Sequence, residues 1–236
     1  MQKLRFYLNQ KLDEEMIEVF LDEVGGGVNF GEGIVKIHPQ LKKIKFLKNI
    51  REKRKNIRQY SDFYYRSNKP LIKQKIKIVQ KEWQKKEKLY VNITEKYFDN
   101  FKFSKGSYIA YASIINCNPR FLESKTFQFF YKKNIDDAVF TIAHELLHFI
   151  FFDFIKKELK NEIKELSEEE IWDLSEIFNF VVLGSEQYSE IINKKCIINY
   201  PNHEKYINQF QEAYKTTVNA KSFIEYGISI IKKNRK

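Results

Sequence analysis

The longest apolar stretch in the chain covers residues 138–155, and residues 137–159 contain neither glycine nor proline. Val139, Phe140, Ile142, Leu146, Leu147, Phe149, Ile150, Phe151 and Phe154 leave almost no polar face, and a helix apolar nearly all round is a buried one. Asn134, Asp136 and Asp137 precede it, offering an N-cap side chain and negative charge for the helix dipole. Ser167-Glu168-Glu169-Glu170 has the spacing of a capping box and predicts a second helix over 168–183, stopped by Gly184. Met16, Ile17, Phe20 and Leu21 form an apolar stripe that predicts a helix over 12–24. Gly25-Gly26-Gly27 ends that helix, and the glycine-rich stretch through Gly33 reads as a turn.

Residues 41–65 and 71–88 read as two helices joined around Asn68-Lys69-Pro70, the second carrying Ile72, Ile76, Val79 and Trp83 on one face. Residues 89–93, 107–115 and 126–131 favour strands by their β-branched and aromatic content, with a break at Asn118-Pro119-Arg120. Helices return after Tyr200-Pro201, with Tyr206, Ile207, Phe210 and Tyr214, and again over 221–231. The pattern predicts an α+β fold, predominantly helical. A small sheet of about three strands packs on the buried helix and on the second, glutamate-bearing helix. It also divides the chain into a basic helical N-terminal region, 1–88, and a second domain, 89–236.

Composition narrows the class. A hydrophobic share of 43% and an aromatic share of 16% over 236 residues suit a globular protein with one good core and exclude a disordered one. No charged segment followed by an apolar one opens the chain, so no signal peptide is expected and the reading is cytoplasmic. Residues 138–155 approach the length of a membrane span but contain His144, Glu145, His148 and Asp153, which argues against a membrane. Cys117 and Cys196 make no metal-spaced cluster and read as free thiols of a reducing compartment. The net charge of +11 is concentrated in residues 42–58 and 73–88. Such stripes attract phosphates, although most basic helix faces are simply solvated; nucleic acid therefore stands as the alternative partner.

Chemistry concentrates in His144-Glu145-Leu146-Leu147-His148, which takes two of the four histidines in the chain. Histidines four apart on a helix lie one above the other, so both rings reach one zinc ion at about 2.0–2.1 Å per nitrogen. A glutamate directly after the first histidine sits beside that face and serves as general base toward a metal-activated water. A catalytic zinc takes three protein ligands and keeps one position open. Glu176 is the first choice for the third, with Asp173, His203 and Glu186 as alternatives. Asp173 and Asn179 lie one turn either side of Glu176, and one of them is expected to accept the ring N–H of a liganding histidine. His203, Tyr200 and Tyr188 are candidates to stabilise an oxyanion.

With these residues the chain resembles gluzincin-type zinc metallopeptidases, in which a His-Glu-x-x-His helix is followed by a helix supplying a glutamate. In size and in the short sheet before the motif it looks like the minimal, ImmA/IrrE-like members, over roughly residues 89–183. No glycine and third histidine follow His148 at metzincin spacing. The resemblance implies that His144, His148 and Glu176 hold one zinc ion per chain. It makes Glu145 the base, and a peptide or protein the substrate. The family often has Asn-Glu or Glu-Ala-Asn around its third ligand, whereas here Ser175 precedes Glu176 and Asn179 follows at three. The resemblance also implies that an edge strand binds substrate as an added strand, either 107–115, with Tyr108, Ala110 and Tyr111, or 126–131. The competing reading is a nucleic-acid-binding or regulatory module that uses the basic helices of 41–88 and holds a structural or vestigial metal.

Overall fold

Phe6, Ala110 and Phe127 stand side by side in register, and that row sets the order of the central strands. The computed structural model describes residues 3–193 and 200–235. The chain forms two units, residues 3–83 with 107–141 and residues 84–106 with 142–236, and so passes between them three times. Cys196 lies outside the described residues. Burial pushes the Cys117 thiol up to about 12.

The first unit contains β1 (Arg5–Leu8), α1 (Gln10–Phe20), β2 (Val24–Gly25), β3 (Val28–Asn29), α2 (Phe30–Ile37) and α3 (Leu41–Lys45). It continues with the larger part of α4 (Ile50–Tyr97), then β4 (Ile109–Ser113), β5 (Arg120–Phe121), β6 (Thr126–Phe130) and the first turns of α5 (Ile135–Glu158). Four strands form the main sheet in the order β1-β4-β6-β5. β1, β4 and β6 run parallel and β5 pairs antiparallel with β6. The fold is therefore α+β and predominantly helical, with one more strand in its sheet than expected. β2 and β3 form a separate hairpin around Gly26 and Gly27, whose φ values of 59° and 85° suit glycine.

The expected substrate edge is not an edge. β4 lies between β1 and β6, so both of its hydrogen-bonding rims are occupied. β6 is likewise flanked by β4 and β5. The small residues have another reason. Ala110 stands between Phe6 and Phe127, and Ala112 between Leu8 and Phe129, so a side chain of one carbon lets Phe6 and Phe129 meet across β4 with ring centroids 6.2 Å apart. Tyr108 is fully buried, with its carbonyl accepting from the Arg5 N–H at 3.0 Å, while Tyr111 faces Tyr7 and Gln128 in register.

A buried carboxylate ties the first unit together. Asp13, on the first turn of α1, is wholly inaccessible and accepts from Ser113 Oγ at 2.6 Å, Gln128 Nε2 at 2.7 Å and the Ile114 N–H at 3.1 Å, and from the Tyr65 hydroxyl. This explains a polar Gln128 inside an otherwise apolar β6. His38 is buried as well, between the Tyr60 hydroxyl at 2.5 Å and the Ile114 carbonyl at 2.7 Å.

Four other expectations change. The strand expected over 89–93 is helical, and the break at Asn68-Lys69-Pro70 does not occur: α4 is a single helix of 48 residues with Pro70 inside it. Trp83, Tyr90, Thr94, Tyr97 and Phe98 are buried at helical spacing, so packing overrides the β preference of Val91 and Ile93. The boundary at 88/89 disappears with it, since it falls inside this helix. Conversely, α2 occupies a stretch read as a turn, capped by the Asn29 side chain. A Cβ on its Gly31 would lie 2.0 Å from the Leu21 carbonyl oxygen, so only glycine permits that approach.

The second unit holds the end of α4, most of α5, α6 (Glu168–Leu183), α7 (Glu204–Thr216) and α8 (Ala220–Lys233). Phe178 of α6 is the hub of its core: the rings of Phe151, Phe223 and Phe98 lie 5.1, 5.3 and 5.8 Å away. α5 is long and apolar enough to cross a membrane by length and composition, but 83% of that apolar window is buried inside the protein.

Candidate metal centre

Local signals build the centre before any tertiary contact is needed. The Asn134 side chain accepts from the Asp137 N–H at 2.7 Å and starts α5, which puts His144 and His148 on successive turns of one face. Ser167 and Glu170 form the capping box of α6, and Glu176 follows in its third turn. The Phe151–Phe178 contact packs the two helices together beside the ligand positions. Asn179 Nδ2 donates to the main-chain carbonyl of His144 at 2.9 Å and fixes their register.

Glu176 meets both histidines. Its Oε2 lies 3.1 Å from His144 Nε2 and its Oε1 3.2 Å from His148 Nε2, while the two Nε2 atoms are 3.0 Å apart. Among the described residues this is the one group of three or more metal-ligating side chains found to converge. His148 and Glu176 are buried and the His144 side chain is 12% exposed, so the cluster has one accessible corner. Phe152 stacks on the His148 ring with an interplanar angle of 29°. Burial works against ionisation of Glu176, yet the His148 and His144 rings facing it hold its carboxyl well below the usual carboxylate range. Glu145 is 4% exposed, on the same helix between the two histidines.

The donor set fits a cation. Ligands bound at 2.0–2.1 Å in a tetrahedron stand about 3.3 Å apart, close to the separations seen. Protons alone account for the cluster less well: two Nε2–H groups directed at one carboxylate would oppose each other across 3.0 Å. Two imidazoles, a carboxylate and a corner open to water are the donors of a tetrahedral site with one position to spare.

The supporting residues are arranged differently from expectation. Asp173 bonds His203 rather than a liganding ring, its Oδ1 lying 2.7 Å from His203 Nε2, because the turn at 201–203 brings that buried histidine onto the first half of α6. Asn179 supports the backbone of His144 rather than its ring. Tyr200 and Trp172 flank His203, with ring centroids 5.2 and 5.3 Å from it. Tyr188 is fully buried and shares a hydrogen bond with Thr94 at 3.0 Å, which makes it a packing residue. Glu186, the other alternative ligand, sits in a single turn beyond the end of α6 and is absent from the cluster. One contributor has no sequence signal: Tyr90, 53 residues before its partner, donates to the Ala143 carbonyl at 2.7 Å and braces α5 next to His144.

Compared with protein-family models, with curated proteins and with solved structures, the chain matches none.

Proposed function

We propose that this protein is a zinc-dependent metallopeptidase of the gluzincin kind, hydrolysing peptide bonds in peptides or in a protein partner. One observation supports the reading above all: a glutamate from a second helix meets both rings of a His-Glu-x-x-His motif within hydrogen-bond distance. Two imidazoles and one carboxylate suit zinc better than magnesium or calcium, which prefer oxygen donors. When bound, the metal supplies Lewis acidity, which acidifies water and polarises a carbonyl oxygen. Glu145 takes the proton of the attacking water as the new C–O bond forms. It then delivers that proton to the departing amine as the C–N bond breaks. His203, oriented by Asp173, and Tyr200 are the groups proposed to meet the negative charge developing on the carbonyl oxygen.

Metal analysis and peptide cleavage test the proposal together. The wild-type chain is expected to retain about one zinc ion, and His148→Ala and Glu176→Ala to lose it. Glu145→Gln is expected to keep the metal while hydrolysis falls by about 10²–10⁴-fold. Stoichiometric zinc without cleavage across a broad peptide library, or full activity in Glu145→Gln, would overturn the reading.

A further inference from the structure

We propose that one exposed face of α4 within the first unit is a docking surface for single-stranded nucleic acid, gripped by its phosphate backbone. Lys55, Arg58, Arg66, Lys69, Lys73 and Lys77 recur at intervals of three and four along this helix, with Asp62 filling the one remaining place in the row. All six cations are exposed. At 1.5 Å per residue the row runs for about 33 Å.

The row is not balanced by acid. Asp62 is the only carboxylate between Lys55 and Lys77, and its Oδ1 already accepts from Gln10 Nε2 at 2.7 Å. Two cations of the same helix outside the row do have partners: Lys53 pairs with Asp22, and Arg54 with Glu18 at 2.8 Å. Among the described residues no carboxylate forms an ion pair with the six in the row. Six like charges held on one face repel one another, and a polyanion relieves that repulsion while releasing its own condensed counterions.

Shape agrees with charge. A cleft of about 460 Å³ opens at the middle of the row, lined by Gln10, Asp62, Tyr65, Arg66, Lys69 and Lys73, and it gives a phosphate somewhere to sit below the helix surface. Phe63 stands along the border of the row and is 69% exposed. An aromatic ring so placed can stack on a base, but only on one that is unpaired, which favours a single strand over a duplex.

The test is fluorescence anisotropy of a labelled, mixed-sequence single-stranded DNA of 25 nucleotides with the full chain at 50 and 200 mM salt. The triple variant Arg66→Gln/Lys69→Gln/Lys73→Gln is compared with Lys160→Gln/Lys164→Gln/Lys221→Gln, which removes equal charge from exposed positions outside the row. The expected result is salt-sensitive binding that weakens about tenfold or more in the first variant and less than threefold in the second. The first variant should also flatten the dependence of log affinity on log salt by about 2. Thermal unfolding of both variants should match wild type, since all six side chains are exposed. Failure to bind at 50 mM salt, equal losses in the two variants, or tighter binding to the matching duplex or to anionic lipid vesicles would overturn the proposal.

Discussion

Asp13 shows how far a single side chain can depart from what its neighbours in sequence suggest. It lies in a polar stretch at the start of a surface-patterned helix, yet it is wholly buried with four donors around it. Burial raises its carboxyl to about 6, although the bonds from Ser113, Tyr65, Ile114 and Gln128 pull the other way. A carboxyl raised in the folded state holds its proton more tightly there than in the unfolded chain. Its contribution to stability is therefore complete below about pH 4 and is lost as the pH climbs through about 6. Stability of wild type minus that of Asp13→Asn, from urea unfolding, is expected to fall by roughly 3 kcal/mol between those limits. A flat difference curve would mean that the carboxyl is not perturbed. None of this was legible beforehand, because the partners lie 52 to 115 residues away along the chain. His144, Glu145 and His148 were legible because their geometry is set by one helical turn. Glu176 was within reach for a related reason: its helix advertises its start at Ser167 and its end at Gly184.

Helices and strands differ in how much of themselves they display. α5, α6 and α8 carry caps and continuous apolar faces, and their expected limits fall within a few residues of those observed. α4 misled because Val91 and Ile93 favour strands and Pro70 favours a stop, whereas the burial of Ile72, Ile76, Val79, Trp83 and Tyr90 keeps it helical. β1 and β5 are too short to register as patterns, and each is defined by the neighbour it pairs with. Packing between elements is equally silent in sequence and can be tested where it is tightest. A Cβ on Gly227 of α8 would come within 2.8 Å of Leu174 Cδ1 on α6 and of Phe210 Cε1 on α7. Gly227→Ala is expected to cost about 1–3 kcal/mol by overpacking, despite the better helix propensity of alanine. Thermal unfolding measures it, and a stabilised variant would show that α8 shifts freely. Because Leu174 lies two residues before Glu176, the same variant is expected to weaken metal binding at the His144, His148 and Glu176 cluster.

At the scale of the whole molecule, connectivity matters more than composition. Neither unit is a continuous stretch, since residues 84–106 interrupt one and residues 107–141 interrupt the other. A fragment beginning at residue 89, the boundary suggested by the charge pattern, would keep β4 and β6 but discard β1. That excision would strip the rim of β4 that now pairs with Arg5–Leu8 and uncover Ala110 and Ala112 beside Phe129. A bare parallel strand with an apolar face is a template for another chain. The 89–236 fragment is therefore expected to self-associate on expression, as size-exclusion chromatography would reveal. Supplying residues 1–88 as a separate polypeptide should restore a discrete species, because the missing strand would have its place to fill.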